Sequence, residues 1–170
     1  MSRRRIFGPA AVAILLLAWV AWGWIMDLTS GPRTPQELAY SLFGRPPQGT
    51  VEPGVYVAEL DESGRFTVRI RYALVHDQAV ERCQERLLRF FAKVFRFRSV
   101  SSVAVVIDFP FLAEADQMEL ETGLRAVISR SAAEQVDWVE TPPGNLPGLC
   151  DEWWQDPRLE PGWTEEEAGR

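Results

Sequence analysis

The sequence predicts an α+β fold, a small two-layer domain with a mostly antiparallel sheet, and three observations lead to it. The segments GVYVAEL and RFTVRIRYALV flank Asp61-Glu62-Ser63-Gly64, the pattern of two strands joined by a tight turn. A long amphipathic helix follows over residues 81–98, ERCQERLLRFFAKVFRFR. The β-branched run SVSSVAVVIDFPFL then opens a second strand pair, which leads into a short helix. The order hairpin, helix, hairpin, short helix describes helices packed on one sheet.

The first 26 residues stand apart from that domain. Arg3, Arg4 and Arg5 precede an uncharged run over residues 6–26, IFGPAAVAILLLAWVAWGWIM. Such a run, as a helix, rises about 32 Å, close to the ~30 Å hydrocarbon thickness of a bilayer. Trp19, Trp22 and Trp24 crowd its far end, where indoles favour a membrane interface. The positive-inside tendency keeps the arginines cytoplasmic and leaves the rest of the chain extracytoplasmic. Membrane lipid is therefore the partner predicted for residues 6–26. Two other readings compete: a signal peptide cleaved near Ala21-Trp22-Gly23, which would release a freely secreted domain, and a buried core helix. The length of the uncharged run favours the anchor.

Residues 27–50 read as a linker holding a short helix. Thr34 suits the N-cap, Pro35 the first helical position, and Glu37 the capping box, while Gly44 and Pro46-Pro47 stop the helix. The folded domain is predicted over 51–155. In its second strand Phe66, Val68, Ile70 and Tyr72 share one face, and Arg65, Thr67, Arg69 and Arg71 share the other. In the long helix, steps of 100° place Val80, Cys83, Leu87, Phe90, Phe91, Val94 and Phe95 on one apolar arc. The strand after it is apolar on both sides, which predicts a central position in the sheet. Residues 118–130 fit a strand through Leu120, Thr122, Leu124, Ala126 and Ile128, and less well a helix; Gly123 favours the strand. Ser131 is the expected cap of the short helix in SAAEQVDW. Beyond it prolines and glycines exclude long regular elements, Trp153-Trp154 pack back on the domain, and 156–170 is a disordered acidic tail.

The run VAVVIDFPFLAEADQMELETGLRAVISRSAAEQVDWVE, with the hairpin and helix upstream, resembles uncharacterised exported and membrane-anchored domains of Gram-positive-type bacteria. A strand ending in an apolar-Pro pair, a polar tip, a strand and a short helix near an aromatic carry the likeness, over residues 54–158. The tip AEADQ lacks the glycine expected there. The resemblance implies location and fold, and it supplies neither an activity nor catalytic residues.

Charge and chemistry narrow the function. With three of the 18 basic residues and none of the 24 acidic ones before Asp27, the remainder carries 15 basic against 24 acidic side chains, net −9. A domain this acidic is a poor general nucleic-acid binder, so no nucleic-acid partner is expected. Yet Arg82, Arg86, Arg89, Lys93 and Arg96 follow one another at helical spacing opposite the apolar arc. Such a stripe is either a plain solvated face or an anion-contacting surface, its partners an acidic protein or an envelope polymer. Cys83 and Cys150, the only cysteines, are a candidate disulfide if the domain lies outside the membrane. The lone His76, beside Asp77, allows a Ser/His/Asp set to be written down, but no nucleophile elbow supports it. No phosphate-binding glycine loop occurs, and no metal-ligand spacing or cofactor motif is present. The sequence therefore predicts a non-catalytic binding or assembly role at the cell envelope. The rival is an envelope hydrolase using loop carboxylates or His76.

Overall fold

The computed structural model describes residues 31–46, 53–72, 79–112 and 118–160. The expected membrane segment 6–26, His76 and the tip carboxylates Glu114 and Asp116 lie outside them. No helix among the described residues is long and apolar enough to cross a membrane. The chain from Thr34 onward clusters as one compact unit.

Among the described residues five strands form one sheet in sequence order: β1 (Gly54–Leu60), β2 (Arg65–Arg71), β3 (Ser102–Leu112), β4 (Met118–Ser129) and β5 (Glu152–Gln155). The neighbouring pairs are antiparallel except β2–β3, which is parallel. The cause is α2 (Ala79–Val94), the crossover between them. Its 16 residues rise about 24 Å, which matches the roughly 23 Å of a seven-residue strand. The chain thus returns to the start of β2 before β3 begins. The fold is α+β with a mostly antiparallel sheet.

Every described helix packs on one face of that sheet. Phe66, Val68 and Ile70 of β2, Val103, Val105, Ile107 and Phe109 of β3, and Leu124, Ala126 and Ile128 of β4 are all buried there. Cys83, Leu87, Phe90, Phe91 and Val94 of α2 close over them, each wholly buried, in one contiguous core. The apolar arc read from the sequence is the core face of the helix, with Val80 and Phe95 at its margins. α1 (Pro35–Phe43), in the stretch read as linker, also enters this core through Leu38, Ala39 and Phe43. Thr34 Oγ1 accepts from the Glu37 N–H at 3.1 Å, Pro35 opens the helix, and Gly44 leaves it at φ 85°. Phe43 meets Phe90 edge-on at 5.7 Å.

Residues 118–129 are strand, which settles their ambiguity. Gly123 is the reason a strict alternation fails: Ile107 pairs with Leu124 but Asp108 with Thr122, so Gly123 bulges out of register. A Cβ on it would lie 2.6 Å from Phe109 and 2.8 Å from Leu159, so any side chain there forces one of them to shift. The short helix α3 (Arg130–Ala133) starts two residues earlier than the Ser131 cap predicts. Ser129 is the cap, its Oγ accepting from the Ala132 N–H at 3.3 Å. The strand runs directly into the helix, so the last strand residue does the capping.

The C-terminal stretch is more regular than its prolines and glycines imply. A 3₁₀ turn (Pro143–Asn145) and α4 (Leu146–Leu149) bury Leu146, and Trp153 and Trp154 sit on β5, paired with Ala126 and Arg125 of β4. Order also continues past residue 155. Asp156 caps a second 3₁₀ turn (Pro157–Leu159), whose Leu159 is buried against the core. Residues 161–170 of the predicted tail are outside the described residues.

Candidate functional site

The cationic stripe is built by the same helix whose inner face forms the core. Apolar residues repeating every three or four positions pull one side of α2 onto the sheet, so Arg82, Arg86, Arg89 and Lys93 must emerge on the other. All four are exposed. From Arg82 to Lys93 the row spans about 16 Å along the helix axis. Arg96 is exposed as well, but it lies beyond the helix end, in the turn after Val94. Its N–H donates to the Lys93 carbonyl at 3.3 Å and its guanidinium sits 4.9 Å from the Phe97 ring centre. The stripe therefore has a helical part of four and a bent extension of one.

Three cations of the stripe stand clear of the described carboxylates. Glu81 and Glu85 share the exposed side of α2. Among the described residues, however, no carboxylate comes within 4.0 Å of Arg86, Arg89 or Lys93. Lys93 in the last turn sits favourably at the negative end of the helix dipole; Arg82, in the first turn and a half, does not.

Arg130 fixes the end of the helix that carries the stripe. The chain after Val94 leaves carbonyls without helical partners, and the Arg130 guanidinium takes three of them. It donates to Phe95 at 2.8 Å, to Phe97 at 2.8 Å, and to Val100 at 3.1 Å from Nε and 2.5 Å from a terminal nitrogen. Arg130 lies 5.5 Å from the Phe95 ring centre, and its own N–H donates to Ser101. The helix end, the turn and the start of β3 are thereby tied to the end of β4. Nothing in the sequence pattern distinguishes this arginine from the solvated ones.

The two cysteines are free thiols. Cys83 faces the core with no exposure, and burial pushes its thiol up to about 12 against the opposing influence of Arg86. Cys150 is partly buried and is likewise pushed up to about 12, by burial first and by the Asp151 charge second. A thiol in that state is a poor nucleophile and a poor metal ligand at neutral pH. Among the described residues no cluster of three or more His, Cys, Asp or Glu side chains could hold a metal ion.

Several acids that a hydrolase would draw on have structural roles instead. Asp61 accepts from the Ser63 and Arg65 N–H groups at 2.9 Å and from Ser63 Oγ at 2.6 Å, which closes the β1–β2 turn. The Ser63 hydrogen bond first, and the backbone donors with it, hold its carboxyl below the usual range. Asp156 binds the Arg158 guanidinium at 2.8 Å, and that bond lowers its pKa too. Glu121 takes the same guanidinium at 2.8 Å, and Asp151 accepts from the Ser129 N–H. Both displaced carboxyl groups move down, opposite to what a general acid needs.

One polar cluster escaped the sequence reading. Asp108, in the most apolar strand, is 8% exposed on the sheet face away from the helices. The Tyr56 hydroxyl donates to its Oδ2, Thr122 Oγ1 donates to Oδ1 at 2.9 Å, and Arg69 lies 3.5 Å away. Tyr56 sits where β1 breaks register between Val55 and Val57, and Thr122 adjoins the Gly123 bulge. The two irregularities aim their side chains at one carboxylate. A single charge within a β-branched run was the available signal.

No model of a known protein family matches the chain, and neither curated proteins nor solved structures yield a significant match.

Proposed function

We propose that the chain is a single-pass, membrane-anchored envelope protein whose extracytoplasmic α+β domain is a non-catalytic binding or assembly module. Its contact surface is the stripe of Arg82, Arg86, Arg89 and Lys93, extended by Arg96, and its partner is anionic: an acidic protein or, preferably, an anionic envelope polymer. The anchor rests on the uncharged run 6–26 behind three arginines. The observation that carries the binding role is that Arg86, Arg89 and Lys93 stand exposed in one row without a carboxylate within 4.0 Å among the described residues. Glu81 and Glu85 share the exposed side of α2, yet neither comes within 4.0 Å of these three cations, as it would if it neutralised the row. Three cations spaced along about 10 Å suit a repeating anion better than one compact ligand.

The test uses the full-length protein in phosphatidylcholine vesicles, with inorganic polyphosphate as probe. Wild type should retain the polymer on co-sedimentation, and the Arg86→Gln/Arg89→Gln/Lys93→Gln variant should lose about tenfold or more in affinity. Equal retention by both would reduce the stripe to a solubilising face. Protease added to intact cells, with mass measurement of the mature N-terminus, tests the placement. A domain spared by the protease contradicts it, and an N-terminus near residue 22 replaces the anchor with a cleaved signal.

A further inference from the structure

Among the described residues, no helix covers the second face of the sheet. The buried leucines, phenylalanines, alanines, Val94 and Cys83 of the described helices belong to the core on one sheet face, and the other face is exposed at many positions. Cross-strand partners share a face, so the register alone assembles its central row: Val57, Arg69, Val106, Arg125 and Trp154, one from each strand. Arg69, Arg125 and Trp154 are exposed, and Val57 and Val106 are half-buried. On the same face, where the β3–β4 hairpin runs beyond the end of β2, stand Leu120 and Met118. Four large apolar side chains are well exposed among the described residues, and three of them, Met118 (58%), Leu120 (44%) and Trp154 (47%), lie on this face. A sheet face meant only for water alternates to polar residues; this one keeps valines in its middle and an indole at its edge.

Its charge leans slightly cationic in an acidic domain, with Arg65, Arg69, Arg71 and Arg125 against Glu59, Asp108 and Glu152 among the described residues. The face displays Arg65, Arg69 and Arg125 as exposed cations, with Glu59 and Glu152 confined to its two edge strands. Arg125 has no carboxylate within 4.0 Å among the described residues. Arg69 is held by Asp108 on one side and lies 5.5 Å from the Tyr56 ring centre, so its guanidinium is preorganised rather than loose. With two strand spacings between them, Arg69 and Arg125 are about 10 Å apart and straddle Val106. That is the spacing of carboxylates two turns apart on a helix, about 10.5 Å.

From this we infer that the helix-free sheet face is a second interaction surface, distinct from the α2 stripe, and that it docks an acidic amphipathic segment of a partner protein. Two carboxylates of the partner engage Arg69 and Arg125, and its apolar side chains cover Val106, Trp154 and Leu120. A polyanion without apolar groups leaves the valines and the indole uncovered, which is why a protein segment is the occupant. Docking would complete a three-layer arrangement with helical material on both faces of the sheet.

The probe is a fluorescein-labelled helical peptide with glutamates two turns apart and leucines between them, titrated by anisotropy against the full-length protein in phosphatidylcholine vesicles. Wild type should bind it, and binding should vanish for the peptide with glutamines in place of the glutamates. Arg125→Glu and Trp154→Ala, both at exposed positions, should each weaken it roughly tenfold. Arg125→Gln should weaken it less, and Glu140→Gln, exposed and outside both surfaces, should leave it unchanged. The inference is overturned by any of three results: no binding by wild type, equal binding by the Arg125 and Trp154 variants, or an equal loss in the Glu140 variant. Phosphatidylglycerol vesicles bound through Arg125 and Trp154, with the peptide unbound, would assign the face to a membrane surface and also overturn it.

Discussion

Replacing the half-buried Arg130 with alanine should destabilise the domain more than replacing any exposed charge. Its guanidinium satisfies the carbonyls of Phe95 and Val100 and adds a second donor to that of Phe97, which also accepts from the Val100 N–H at 3.0 Å; Val100 is wholly buried. Hydrogen bonds from a charged donor contribute about 1.5–3 kcal/mol each where both partners are dry, and an orphaned buried carbonyl costs about 1–3 kcal/mol. The side chain is 31% exposed, so water replaces part of what is lost. The Glu134 pair at 4.0 Å contributes little beside these bonds, because that carboxylate is mostly exposed. The sum is about 3 kcal/mol, and with roughly 3 °C per kcal/mol for a domain of this size the midpoint falls by about 10 °C. Arg130→Lys keeps the charge but not the planar fork, and should recover about half the loss. Urea and thermal unfolding of the full-length protein, followed by tryptophan fluorescence, measure both. A loss under about 0.5 kcal/mol for Arg130→Ala would refute the reasoning, because it would mean water serves those carbonyls as well as the guanidinium does.

Three further outcomes are expected. Burial first, and the bond to Asp108 second, push the Tyr56 hydroxyl up to about 12; a folded pKa above the unfolded one of about 10 means stability is full below pH ~10 and is lost as pH rises towards 12. Ultraviolet titration should show this late-ionising tyrosine in wild type and not in Tyr56→Phe. Gly123→Ala should cost about 1–3 kcal/mol in urea unfolding, because its methyl group would overlap Phe109 and Leu159. Iodoacetamide at pH 8 should leave Cys83 unmodified until denaturant is added, as peptide mass mapping would record, since a fully buried thiol raised to about 12 offers neither access nor thiolate.

The parts of this fold that were legible in the sequence are those fixed by period and by local turn chemistry. The 3.6-residue repeat of Cys83, Leu87, Phe90, Phe91 and Val94 located both the core face of α2 and the cationic face opposite it. Asp61 to Gly64 located the first turn, where Gly64 sits at φ 82°. What stayed hidden depends on partners distant in sequence. β5 is a strand because β4 offers it a free edge, and four residues carry no period long enough to announce that. Arg130 reads as one more surface arginine until the turn 35 residues upstream is folded against it. Asp108 was visible as an acid among valines, but its partners Tyr56 and Thr122 are aimed by two register breaks that no local pattern marks.

The α2 stripe is most directly tested by the salt dependence of polyphosphate binding to the full-length protein. Each cation that displaces a condensed counterion adds about 0.7 to the slope of log affinity against log salt for a flexible polyanion. Neutralising Arg86, Arg89 and Lys93 together should therefore flatten the slope by about 2, with the affinity falling at every salt concentration. An identical slope and affinity in the variant would contradict the stripe as the anionic contact.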